Sequence, residues 1–151
     1  MKTLSNPGDL AEIKRRIHSL TPGDQRLWGS MTVSGMVCHL TDAFRLGTGE
    51  TPAAAAKFGI VPAPVIKWVA LHSPMKWPPG VKTIPEVEQG FGGTPPGDFA
   101  SDMAALLDSL DRFMAHAGPW PRHSIFGPMT QADWMRWGYL HPDHHLRQFG
   151  R

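Results

Sequence analysis

The chain has 151 residues, 41% of them hydrophobic, which is the size of one domain built round one core, and residues 1–151 are read as that single domain. Fifteen Lys+Arg against thirteen Asp+Glu give a formal charge of +2 with the cations scattered, which excludes a nucleic-acid footprint, and no apolar run approaches the ~20 residues of a membrane span. A lone Cys38 cannot pair within the chain, so disulfide scaffolds and Cys-rich zinc ribbons are excluded too, and a soluble cytoplasmic protein is expected.

The first helical pattern opens at Asn6-Pro7-Gly8-Asp9, where Asn6 can cap and proline can take the first helical position without losing a needed hydrogen bond. Leu10, Ile13, Ile17 and Leu20 recur at helical spacing, which predicts a helix near 6–20; Lys14-Arg15-Arg16 is read as its solvated face. A second helix is predicted over 32–46, with Thr32 as cap and Val33, Met36, Val37, Leu40, Ala43 and Phe44 as one apolar stripe. His39 sits beside that stripe.

Proline and glycine make 31 of the 151 residues, and 17 of these fall between Gly47 and Gly97. Within that stretch Val65 to Leu71 could form two turns of helix after Pro64. The remainder is punctuated by chain breakers such as Trp77-Pro78-Pro79-Gly80 and Gly92-Gly93-Thr94-Pro95-Pro96-Gly97. Its content of Phe58, Trp68, Trp77, Ile84 and Phe91 predicts a long structured excursion rather than a free linker. Phe99, Met103, Leu106, Leu107, Leu110, Phe113 and Met114 then predict a third main helix over 98–116. A fourth is predicted over 130–149, opened by Thr130 and Asp133 in the manner of a capping box. Four amphipathic helices without an alternating strand pattern point to an all-α, four-helix bundle.

The chemistry lies at the end of the fourth helix. His141 and His145 are four residues apart, so on a continuous helix they stand ~6 Å along the axis and ~40° around it, which lets two imidazoles converge on one ion. Gln148, three residues on, shares that face and can bond a second ring nitrogen or a bound water. His39, on a different helix, offers a third nitrogen, and three protein nitrogens leave a position open, as catalytic rather than structural zinc sites do. Asp42 follows His39 by three and could orient a ligand or take a proton. Trp134 shares a face with His141 and is read either as core or as a pocket wall above the metal. Cys38 is read as a buried apolar cysteine. His144 points away from its neighbour and, with His72, His116 and His123, is read as a surface residue; His144 can also be read as lying behind the ligands, and a loop residue such as His123 could still reach the site.

The segments Arg26 to Leu40, Phe126-Gly127-Pro128-Met129 and His141 to Gly150 resemble the signatures of a small uncharacterised family of the DinB/YfiT-like superfamily. The likeness covers both ends of the chain and, more thinly, the middle through Trp77-Pro78-Pro79-Gly80 and Thr83-Ile84-Pro85-Glu86. It implies an antiparallel four-helix bundle, often dimeric, holding a divalent metal through one histidine of the second helix and an H-x-x-x-H pair of the last. Those positions are His39, His141 and His145 here. It also implies metal-dependent chemistry related to thiol S-transferases and maleylpyruvate isomerase, with a low-molecular-weight thiol or another small molecule as substrate, and a homodimer as the assembly. Pro142 departs from a regular helix: it removes a hydrogen bond and crowds the carbonyl of Gly138, which makes a bend or a restart at His141 the alternative to a continuous helix, and only in that case would His144 replace one member of the pair. Imidazole donors suit zinc or nickel, with iron as a further choice. The contrasting expectation is a non-enzymatic helical binding or stress-associated protein with structural or adventitious metal.

Overall fold

A computed structural model describes residues 1–52, 54, 60–80 and 84–151; Phe58 and Thr83 lie outside the described residues. Among those described there are five α-helices and no strand: α1 (Pro7–His18), α2 (Val33–Thr48), α3 (Ala63–His72), α4 (Phe99–Ala115) and α5 (Gln131–Gln148). A single 3₁₀ turn covers Pro85–Val87. Among the described residues no helix is long and apolar enough to cross a membrane.

Each main helix begins where a short polar side chain can replace the missing intrahelical partner of the first amides. Asn6 Oδ1 accepts from the amides of Gly8 and Asp9, Thr32 Oγ1 from Gly35, and Asp98 from Ser101. At α5 the capping box is complete, since Thr130 accepts from the Asp133 amide at 3.1 Å while the Asp133 carboxylate accepts from the Thr130 amide at 3.0 Å. The stripes that start at these caps meet in one buried cluster. Ile13 and Ile17 of α1, Met36, Leu40 and Phe44 of α2, Leu71 of α3, Leu106, Leu110 and Phe113 of α4, and Trp134 and Leu146 of α5 all lose their solvent there. The broadest helix pair is α2 with α4, and α5 touches α1, α2 and α3.

The helix ends lie within two residues of those read off the stripes, α1 closing at His18. Helix α2 continues past Leu46 through a buried Gly47 to Thr48. Helix α5 runs without interruption through Pro142, so neither a break nor a restart at His141 occurs. The helix persists because its neighbours hold it on both sides of the lost hydrogen bond. Asp143, next to the proline, accepts from Arg16 of α1 at 2.8 Å and from Arg147 at 3.0 Å, and Gly138 lies against Leu4 and Phe113.

The middle of the chain contributes α3 after Pro62, longer than the two turns expected, and the 3₁₀ turn. Its large side chains divide: Ile84 is buried and Trp77 half-buried, whereas Trp68 and Phe91 are exposed. Ile84 and Val87 form a second, smaller apolar cluster with Leu46 of α2 and Ile125. Asp42 of α2 adds a polar tether to the same region, accepting at 2.7 Å from both the amide and the hydroxyl of Thr94. These contacts seat the 3₁₀ turn beside the middle of α2, where His39 projects.

Candidate metal centre

His39 Nε2 lies 3.1 Å from His141 Nε2, and His145 Nε2 lies 3.2 Å from the same atom, so three ring nitrogens from α2 and α5 face one point. The protonation of two of these rings follows from their other nitrogen. His39 Nδ1 is 2.8 Å from the carbonyl of Val87, which can only accept, so the hydrogen is on Nδ1 and Nε2 is a bare lone pair. Gln148 donates from Nε2 to the Trp28 carbonyl at 2.9 Å, which fixes its amide orientation and turns Oε1 toward His145 Nδ1 at 3.2 Å. His145 therefore also presents a bare Nε2.

A single N–H at His141 Nε2 could satisfy one of those lone pairs but never both, and His141 Nδ1 is buried with no hydrogen-bond partner among the described residues. A cation resolves the conflict, because three lone pairs then point at positive charge rather than at each other. The spacing suits it: with metal–nitrogen distances of about 2.1 Å, neighbouring donors stand about 3.4 Å apart in a tetrahedral site and about 3.0 Å apart across a right angle. The three histidines lie close enough to hold a metal ion.

Burial holds all three rings below the ordinary histidine range, and for His141 and His145 the charge of neighbouring histidines pushes the same way. Neutral imidazole is the ligating form, so the site is poised to bind at neutral pH without first shedding protons. His39 is buried, while His141 keeps partial exposure.

A family model described as Protein of unknown function (DUF1569) matches residues 7–151. The chain belongs to that family. No curated protein and no solved structure matches the chain.

The family match spans all three histidines, and the other residues singled out in the sequence fall in distinct places around them. Gln148 touches the cluster directly, through His145. Asp42 does not bond any of the three rings, because both carboxylate oxygens are taken by Thr94; its charge opposes the downward shift at His39 from a distance. Trp134 is completely buried among Phe113, Trp120, Trp137 and His123, a core position away from solvent. Cys38 is buried, its thiol pushed up to about 12 by burial and by Asp102, and it is absent from the cluster.

Two histidines expected at the surface are buried instead. His144 packs between the rings of Trp28 and Trp77, whose centroids are 4.9 and 6.0 Å away, and burial holds it down to about 4. With α5 continuous it stands outside the group of three histidines whose ring nitrogens converge. His123 stacks on Phe126, accepts at Nδ1 from the amides of Ile125 and Phe126, and is likewise held down to about 4 by burial. Of the others, His72 is exposed near Asp133 and His116 packs on Trp120. The Val87 carbonyl and Trp77, whose ring lies 5.9 Å from that of His141, were not singled out as site residues; a backbone oxygen carries no sequence signal at all.

Proposed function

We propose that the protein is a metal-dependent enzyme of the DinB-like type, a four-helix bundle of α1, α2, α4 and α5 with the Pro/Gly-rich middle segment wrapped outside it, and that His39, His141 and His145 hold its divalent cation. The observation that carries this reading is the convergence of three neutral Nε2 atoms within 3.2 Å of their neighbour, with no carboxylate or thiol in the cluster. A donor set without negative charge leaves a bound dication its full charge toward an incoming group. Such an ion supplies Lewis acidity that lowers the pKa of a water or thiol to the neutral range.

The chain's own residues account for the remaining work. Val87 and Gln148 fix the tautomers of His39 and His145, and burial keeps the rings uncharged. Trp137 and Trp77 flank His141 and exclude water from two sides of it. Cys38 is buried and its thiol is pushed up to about 12, so it does not serve as the nucleophile, and the group activated is a water or a small thiol from outside the chain. Zinc or nickel fits these donors best, and iron also fits. A homodimer remains part of this reading, with the exposed Val65, Trp68 and Val69 of α3 as apolar surface for a second copy to cover.

Elemental analysis of tag-free protein should find one divalent metal per chain, lost in His145→Ala with helical circular dichroism retained. Cobalt-substituted protein should then change its visible spectrum when a small thiol is added. Unchanged metal content in the variant would overturn the site, and a cobalt spectrum indifferent to thiol and to other small ligands would favour a binding protein with saturated metal.

A further inference from the structure

Two of the three ring tautomers are fixed at the outer nitrogen, that of His39 by the 3₁₀ turn and that of His145 by Gln148 of α5, and the anchor on His145 has a second stage. Gln148 reaches His145 only because its own amide is held from behind by the Trp28 carbonyl. The residue after Trp28 is Gly29, in left-handed backbone at φ 78, and a Cβ placed there would come within 2.6 Å of Gln148 Nε2. The main chain also closes on the helix end nearby, where the Leu27 amide donates to the Gln148 carbonyl at 2.7 Å. The 27–29 turn is thus fitted to Gln148 from two directions, with Leu27 exposed and the Trp28 ring seated against His144 of the same helix.

We infer that the Trp28–Gly29 turn is a positioning element for the metal centre: it orients Gln148, which holds the hydrogen of His145 on Nδ1 and leaves Nε2 free to ligate. The inference rests on the metal-site reading for its consequence, although the tautomer it specifies belongs to the metal-free protein. A histidine whose outer nitrogen loses its acceptor divides between two tautomers, and only one of them presents Nε2 as a donor to metal. Outer hydrogen-bond partners of metal-bound histidine typically govern about 10- to 100-fold in affinity. Glycine at position 29 is then required by a side chain 119 residues further on, because any Cβ would displace the Gln148 amide.

The test uses the full-length chain and two readouts. In metal-free protein, ¹⁵N-detected imidazole NMR should show His145 as the Nδ1–H tautomer, with the Nε2–H form appearing in Gln148→Ala and in Gly29→Ala. Zinc titration against a competing chelator should show affinity about 10- to 100-fold lower in Gln148→Ala, a smaller loss in the same direction in Gly29→Ala, and no further loss in the double variant. Gln148→Glu, which keeps an acceptor for His145 but cannot donate to the Trp28 carbonyl, should show the Nε2–H form to a lesser extent than Gln148→Ala and provides a second route to the tether should Gly29→Ala fold poorly. An unchanged tautomer in Gln148→Ala, or losses that simply add in the double variant, would overturn the inference while zinc binding by the wild type still stood. Wild-type protein with the Nδ1–H tautomer but no zinc affinity would overturn the metal reading and, with it, the role assigned to the turn.

Discussion

His123 and His144 show what a histidine does when burial has no cation to offset it. Each is held down to about 4 by removal from water, while in the unfolded chain each returns to about 6.5. Above that value both states carry a neutral ring and nothing depends on pH. Below it the unfolded chain takes up the proton first, so stability falls as the pH drops from about 6.5 toward about 4, by at most about 1.4 kcal/mol per pH unit for each ring. His39, His141 and His145 shift in the same direction and add to the slope in metal-free protein. The urea midpoint of metal-free protein should therefore decline steadily between about pH 7 and about pH 4.5, and a flat midpoint would show that the rings are not buried. The pairing of His141 with His145 was legible because an i,i+4 pair on a helix is a periodic signal. The burial of His123 and His144 was not, since it is produced by aromatic rings at positions 28, 77 and 126 that no local pattern connects to them.

At the scale of helices, caps and stripes were legible to within one or two residues at α1, α2, α4 and α5, because Asn6, Thr32, Asp98 and Thr130 satisfy amides left open at the helix starts. Pro142 was harder to read, since its local cost of about 3 kcal/mol predicts a break and only tertiary packing keeps α5 continuous. Gly138, at the carbonyl that the proline crowds, is part of that packing. A Cβ there would lie 2.7 Å from Leu4 Cδ1 and 2.9 Å from Phe113 Cε1. Gly138→Ala gains about 1 kcal/mol of helix propensity and incurs about 1–3 kcal/mol of overpacking, so a net loss of about 1 kcal/mol is expected by urea denaturation. A variant at least as stable as the wild type would show that Leu4 and Phe113 can step aside.

For the whole molecule the three histidines join α2 to α5 across 102 residues of sequence, so a cation held as proposed would tighten the contact between two helices that otherwise meet through apolar side chains. Zinc at about 100 times its dissociation constant should add about 2.7 kcal/mol. In a domain of this size that corresponds to a rise in melting temperature of about 5–10 °C. A thermal melt with and without zinc, reversed by chelator, measures it, and no rise in the wild type would contradict a site shared by the two helices. The juxtaposition itself was not legible, because nothing in two separate stripes states which face of α2 meets which face of α5.

His39 owes its orientation to the carbonyl of Val87, a main-chain atom that every amino acid possesses. Alanine scanning along that turn would therefore pass over one of the supports of the centre without a signal, since Val87→Ala trims apolar packing and leaves the acceptor in place. Sensitivity should reside in the path of the chain rather than in its letters. A one-residue deletion or insertion between Ile84 and Glu88 would withdraw the oxygen where twenty side-chain choices could not.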